Sequence, residues 1–315
     1  MPGENMEDTI NAKILSHSRG HLSESRYALL LVAPALVIIF FFALYPLVYA
    51  VVLSLRHVDL TSQVGVGEFV GGDNYRWALR SRLFWGALGR TMIFSVGVIT
   101  VEMVLGIFIA FMLNRITFLK GLFRSMLILP LAAAPAAVGL IWRYMYHPDF
   151  GVYNYFMSIL GLPEQNWLGR EMLALPSVML FDIWQWTPFV AIITLAGLQA
   201  LPKEPFEAAE LDGGSAWQVH RRLTFPMLRP VLTLVFVLRT IDAIRLYDPI
   251  VMLTSGGPGT ATETLTYYIY RVSMRFFRMD HGSAMSLIFL YGTVVFCLLV
   301  LRRLLMEMGQ RAERE

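Results

Sequence analysis

LPKEPFEAAELDGGSAWQVHRRLTFPMLRP, residues Leu201 to Pro230, is the stretch that decides how the chain is to be read. It encodes two short helices joined by a bend. Pro205 suits a first helical turn, where its missing N–H costs nothing. Glu207 nearby complements the positive end of the helix dipole. Gly213 and Gly214 suit the left-handed conformation that ends a helix. Ser215 with Gln218 forms a capping box that opens the second helix. Pro226 and Pro230 then restrict continuation before the next apolar run. A connection of about 30 residues with helices of its own is unusually structured. Taken alone, it also suits an amphipathic hairpin resting on lipid headgroups.

The flanks of this stretch are strongly apolar. Of 315 residues, 56% are hydrophobic and 16% charged, with a mean hydropathy of +0.57. An ordinary soluble domain carries about 25% charge, so the chain lacks the polar material to coat water-exposed globules. The abundance of apolar residues excludes disorder. The single cysteine, Cys297, excludes an internal disulfide framework, and a net charge of +3 gives no argument for a nucleic-acid partner. The composition is that of a membrane protein.

A helix needs about 20 mainly apolar residues to cross the bilayer. Tyr27 to Leu55 is free of charge, Thr91 to Leu113 is broken only by Glu102, and Ser125 to Trp142 is uncharged. Met172 to Pro202 is interrupted only by Asp182, and Gly282 to Leu301 is uncharged. Val231 to Thr254 has the right length but contains Arg239, Asp242, Arg245 and Asp248. It suits a re-entrant or interfacial segment too, but reads as a crossing because its charges alternate in sign and neutralise one another while facing protein or a watery cavity. Six transmembrane helices follow. Prolines inside these runs (Pro34, Pro46, Pro130, Pro135, Pro188) predict kinks, tolerated where neighbours re-satisfy the backbone. Residues 1–26 form an N-terminal tail, 27–301 the six-helix domain with its connecting loop at 202–230, and 302–315 a C-terminal tail. Lys13, Lys120 and Lys203, the chain's only lysines, all fall on the N-terminal side of the bilayer, which predicts that both termini are cytoplasmic.

Catalytic chemistry is not encoded in any recognisable form. None of the three lysines follows a glycine, so no P-loop is possible. The six histidines stand singly, without the spacing of a zinc-protease helix, and no Gly-x-Ser-x-Gly elbow appears. No catalytic residue, metal site or cofactor is expected on this chain.

Glu207-Ala208-Ala209-x-x-Asp212-Gly213, followed by Pro226 and Pro230, resembles the EAA signature of bacterial ABC-importer permeases. Two positions depart from it: Gly214 replaces the usual alanine, and His220 stands where phenylalanine is frequent. Neither touches the acidic or glycine core of the motif. Phe69-Val70-Gly71-Gly72-Asp73-Asn74-Tyr75, the segment Phe84 to Thr91, and Leu253-Thr254-Ser255-Gly256-Gly257-Pro258-Gly259 are similar to segments of carbohydrate-importer permeases. The similarity extends over nearly the whole chain from Tyr27, in the branch of trehalose, maltose and glycerol-phosphate permease subunits.

The resemblance implies an all-α membrane protein of the type I ABC importer permease fold: six transmembrane helices with a cytoplasmic coupling helix between helices four and five. It implies a bacterial cytoplasmic (inner) membrane location and a sugar, for instance trehalose, as solute. The implied partners are a second homologous permease, ATP-binding cassette ATPase subunits carrying ATP and Mg, and an extracytoplasmic solute-binding protein. Glu207 is then a candidate to pair with a basic residue of the ATPase. Ala208 and Ala209 permit close approach, and Gly213 sets the angle between the two short helices. A self-sufficient secondary transporter and an integral-membrane enzyme are the rival classes. The first calls for an inverted repeat that the sequence does not display, the second for a paired catalytic constellation.

The charges of the fifth run leave two possibilities open. Arg239, Asp242 and Arg245 lie loosely on one helical face, as an ion-pair ladder facing a partner permease or as a polar wall of the translocation path. Glu102 and Asp182 pose the same choice singly. Trp184 and Trp186, with Tyr247, are placed to stack on sugar faces, although Trp and Tyr are also frequent at membrane interfaces.

The resemblance makes one sharp prediction. Replacing Gly213 with a bulky residue abolishes solute-stimulated ATP hydrolysis in the assembled transporter, and wild-type stimulation in that variant sinks the coupling role.

Overall fold

The computed structural model describes residues 31–59, 65–116 and 118–312. The expected tail 1–26, the first residues of the first crossing and the last three residues of the C-terminal tail lie outside the described residues.

Helix α1 (Leu31–Ser54) is apolar on every side and almost wholly exposed; it leans on the C-terminal helix. A π turn at Phe40–Leu44 directly precedes Pro46. The widened turn lets the ladder pass a residue that cannot donate. Two short antiparallel strands follow, β1 (Arg56–Asp59) and β2 (Gly65–Phe69), a hairpin that the all-α expectation did not include. Asn74, at the start of α2 (Asp73–Arg80), fastens this hairpin to the end of α1. Its buried amide donates to Ser54 O and Arg56 O, both at 2.9 Å.

Helix α3 (Arg82–Arg115) has 34 residues, about 51 Å of helix, and so extends well beyond a bilayer core. Ser81 caps it, accepting from the Phe84 N–H. The third apolar run is not one helix: α4 (Lys120–Ala132) and α5 (Pro135–Met145) meet at 94°. Pro135 disfavours helical geometry for its predecessor, and Ala134 is extended (φ −62°, ψ 124°). After α6 (Val152–Ile159), α7 (Glu171–Gln199) keeps Pro176 and Pro188 inside one continuous helix.

The stretch from Leu201 to Pro230 forms α8 (Glu204–Leu211) and α9 (Ala216–Val219), as its capping residues dictate. Pro226 and Pro230 do not separate it from the next helix. A π turn at His220–Thr224 joins α9 to α10 (Phe225–Ile244), with Pro226 in the first turn of α10 and Pro230 inside it. The same device precedes Pro46. The fifth run is corrected in its bounds as well: α10 ends at Ile244, and α11 (Asp248–Leu253) is a separate short helix because Pro249 cannot continue the ladder. Then come α12 (Leu265–Tyr270) and α13 (Met279–Ala312), which continues helically into the expected tail as far as Ala312.

Among the described residues, four helices are long and apolar enough to cross a membrane, and five if α4 and α5 form one bent crossing. With 20 residues, α10 has the length, but its charges keep it outside that class. Two buried apolar clusters hold α3, α7 and α10 together. One gathers Phe94, Val98, Val178, Phe181 and Ala243; the other gathers Ala110, Leu195, Leu198 and Leu228. Gly106 lets α3 and α7 touch: a Cβ there would lie 2.6 Å from Val190 Cβ. Gly106→Ala therefore costs about 1–3 kcal/mol of overpacking, read as a lowered thermal midpoint of the purified protein. An unchanged midpoint contradicts the close approach.

Candidate functional site

Between those two apolar clusters lies a group of charges. Arg239 of α10 is 1% exposed and surrounded by carboxylates from three helices. Its Nε donates to Glu102 Oε2 of α3 at 2.7 Å and its Nη2 to Glu102 Oε1 at 2.9 Å, a bidentate pair. Nη2 also donates to Asp182 Oδ2 of α7 at 2.8 Å, and Nη1 to Asp242 Oδ2 of α10 at 2.7 Å. The guanidinium lies 4.8 Å from the centre of the Trp186 ring, which covers one face. Glu102 and Asp182 are buried, whereas the Asp242 side chain is 53% exposed. The site therefore has an inner part sealed in protein and one carboxylate at its rim.

A charge buried in apolar surroundings persists only when paired and hydrogen-bonded. The planar fork of arginine suits this task, because it reaches several carboxylates in fixed directions. Asp182, Trp186, Arg239 and Asp242 are thus brought together, and Glu102 joins them. One rung of the single-face ladder forms, Arg239 to Asp242 at 2.7 Å; the other pairs of Arg239 reach across to α3 and α7, and Arg245 takes no part in the cluster. Arg245 is the exposed C-cap of α10, where the helix has already ended. Tyr247 packs with Tyr267 and Tyr270 beyond that end. Trp184 turns away from Trp186 and packs on Trp142, ring centres 5.4 Å apart. Lone charges in apolar runs were a readable signal; the pairing of residues 137 and 57 positions apart was not.

The second candidate site is the α8–α9 hairpin. Helix α8 opens with Pro205 in its first turn and the acidic Glu204 and Glu207 at its positive end. It closes in a Schellman turn: Gly214 N–H donates to Ala209 O at 2.9 Å and Gly213 N–H to Glu210 O at 3.1 Å. Gly213 alone is left-handed, with φ +72°. Gly214 is required for a different reason, since a Cβ there would lie 2.9 Å from Ala209 O. The capping box of Ser215 and Gln218 then fixes the start of α9. No side chain of α8 is buried: Glu207, Ala208 and Asp212 are exposed and Ala209 half-buried. Leu211 and Trp217 at the tip are 89% and 69% exposed, apolar groups that the signature residues did not flag. The hairpin is rigid through its own hydrogen bonds and leaves an apolar tip uncovered.

The other quoted segments hold structure together at the opposite end of the bundle. Gly256 is left-handed with φ +84° and lies against the Tyr267 ring. Thr254 and Thr262 share a hydroxyl hydrogen bond of 2.7 Å. Glu263 is buried, pairing with Arg271 at 3.0 Å; burial raises its carboxyl above the usual range, opposed by the positive charges of Arg271 and Arg90. Among the described residues, no three His, Cys, Asp or Glu side chains are placed to hold a metal ion.

Residues 102–307 match the family described as binding-protein-dependent transport system inner membrane component. A probable ABC transporter permease protein of Sinorhizobium fredii is 40% identical over 255 residues, 81% of each chain. The trehalose/maltose transport system permease protein of Thermococcus litoralis is 36% identical over 243 residues, 77% of this chain and 82% of that one. A chain of the crystal structure of a bacterial ABC transporter involved in the import of the acidic polysaccharide alginate has a TM-score of 0.79. It is 20% identical, over 94% of this chain and 99% of that chain. This likeness fixes the fold, which is the type I ABC importer permease fold.

Removing one partner of a buried ion pair leaves an uncompensated charge and costs about 3–5 kcal/mol. Arg239→Met is expected to lower the thermal midpoint accordingly, and Arg239→Met with Glu102→Gln to recover part of it. Equal midpoints for both variants and the wild type would show that the cluster carries no net stability.

Proposed function

Since the chain belongs to the family of binding-protein-dependent transport system inner membrane components, we propose that it is the transmembrane permease subunit of an ATP-driven importer of a sugar. The relative from Thermococcus litoralis, named for trehalose and maltose transport, makes a disaccharide such as trehalose the first solute to test. The chain itself is a multi-pass inner membrane component. As the sixth crossing we assign α10, its charges turned into the bundle, which leaves both termini on the cytoplasmic side.

The observation that carries the coupling role is the self-capped, exposed hairpin of α8 and α9. A rigid helix transmits displacement, whereas a flexible loop absorbs it. Glu207, Ala208, Ala209, Asp212 and Gly213 form the surface offered to a separate ATPase subunit, with Pro226 and Pro230 in the helix that receives the motion. ATP and its magnesium belong to that partner. A second, homologous permease completes the cavity, and an extracytoplasmic binding protein delivers the solute. ATP binding turns the pair outward, the solute enters between the permeases, and hydrolysis resets the pair inward. Asp242, at the rim of the ion cluster, is the group placed to accept hydrogen bonds from sugar hydroxyls, with Trp186 beside it.

Uptake of labelled trehalose into proteoliposomes holding the complete complex tests this function. Uptake is expected only with the ATPase and ATP present; equal uptake without the ATPase makes the chain a secondary transporter. Asp242→Asn is expected to reduce uptake about tenfold, the range of one lost hydrogen bond to a charged group, while assembly and basal ATP hydrolysis persist. Loss of assembly in that variant instead makes Asp242 structural.

A further inference from the structure

We propose that Arg239 is a positioning residue: it clasps α3, α7 and α10 into one rigid lever, so that displacement of the α8–α9 hairpin reaches the carboxylate of Asp242 undivided. The proposal rests on the function assigned above, and it concerns how motion crosses the bundle rather than which surface receives it.

Helices α7 and α10 are the two that flank the hairpin, so any force on α8 enters through them. At the cytoplasmic end they touch closely, since a Cβ on Gly197 would lie 2.9 Å from Val231 Cγ1. Far from that end they are tied again by the 2.8 Å bond from Arg239 to Asp182. By the rise of 1.5 Å per residue, Asp182 lies about 26 Å from the Gln199 end of α7 and Arg239 about 21 Å from the Phe225 end of α10. The two helices and the hairpin therefore form a closed ring, covalent at one end and ionic at the other.

Apolar contacts can slide, because one packed pair can be exchanged for another of similar area. The ionic tie cannot slide in that way. Shifting α10 by one turn against α7 would strand Arg239 from Asp182 inside the apolar bundle, at a steep desolvation cost. The same guanidinium grips both oxygens of Glu102, so α3 is bound to the ring. Asp242 is held through Nη1, and its orientation is fixed relative to all three helices. A solute group on Asp242 thus moves with the hairpin.

The test uses the complete complex with partner permease, ATPase and binding protein in proteoliposomes, reading solute taken up per ATP hydrolysed. The triple variant Glu102→Gln, Asp182→Asn, Arg239→Met removes the charges together, a replacement that often preserves stability. Arg239→Lys keeps the charge but loses the planar fork. In whichever variant assembles, solute per ATP is expected to fall about tenfold or more, the scale of misplacing a group by a fraction of an ångström to an ångström. A wild-type ratio in either assembled variant overturns the clasp, since a purely stabilising cluster would leave the ratio unmoved.

A measurement on the otherwise native chain decides the matter if neither variant assembles. Spin labels at the exposed Leu180 and Leu238, with Cys297→Ser, report the separation of α7 and α10 beside the clasp. That separation is expected to stay constant with and without ATP. A change approaching one helical turn, about 5 Å, overturns the clasp alone when ATP-dependent uptake is intact. Absence of ATP-dependent uptake in the wild-type complex overturns the functional assignment, and the clasp with it.

Discussion

A guanidinium enclosed in an apolar bundle must find its counter-charges inside the protein, and Arg239 finds them on three helices at once. Glu102 is gripped at both oxygens, Asp182 at one, and Asp242 closes the set from the same helix. Two apolar clusters lie on either side and pack the same helices, but apolar burial is non-directional, whereas charge-assisted bonds fix particular partners. The positions of α3, α7 and α10 relative to one another therefore depend on this one residue more than on any single apolar contact. Glycines at the crossing points make that arrangement possible, since Gly106 and Gly197 bring backbones close enough for the charges to meet.

Keeping helices continuous past proline is the second constraint, and the chain meets it with one device used twice. Pro46 and Pro226 each follow a π turn, at Phe40–Leu44 and at His220–Thr224. The wider turn accommodates a residue without an N–H while the axis continues. Pro176 and Pro188 of α7 sit inside a continuous helix without such a turn, whereas before Pro135 an extended Ala134 breaks the helix and the chain bends by 94°. The consequence is mechanical. The α8–α9 hairpin passes into α10 without a loop between them, so the segment from Ala216 to Ile244 is one nearly uninterrupted rod. The hairpin owes its own rigidity to local bonds: a Schellman turn at Gly213 and Gly214 and a capping box at Ser215. These bonds are local to the hairpin, which suits the exposure of its tip at Leu211 and Trp217.

Much of this was legible in the amino-acid order because it rests on short-range chemistry. Apolar runs long enough to cross a bilayer, the caps of α8 and α9, and the left-handed Gly213 follow from residues within a few positions of one another. The signature Glu207-Ala208-Ala209-x-x-Asp212-Gly213 was sufficient to place the chain among importer permeases, and the family match bears that out. Local chemistry also set errors in motion. Pro226 looks like a breaker until the π turn is seen, and the alternating charges of the fifth run look like one continuous ladder, whereas α10 ends at Ile244 after the single rung from Arg239 to Asp242.

The sequence by itself determined that this is a membrane permease, that a self-capped hairpin stands between two of its longer helices, and that a few charges lie within its apolar runs. Only the tertiary structure decided which of those charges meet. Glu102, Asp182 and Arg239 are distant along the chain, and their pairing depends on how three helices rotate and cross, which no local pattern records. It likewise decided that Trp186 joins the cluster while Trp184, Arg245 and Tyr247 do not. Burial fixes the partners of a charge because an unpaired one is too costly to keep, and burial is a property of the folded bundle rather than of any segment in it.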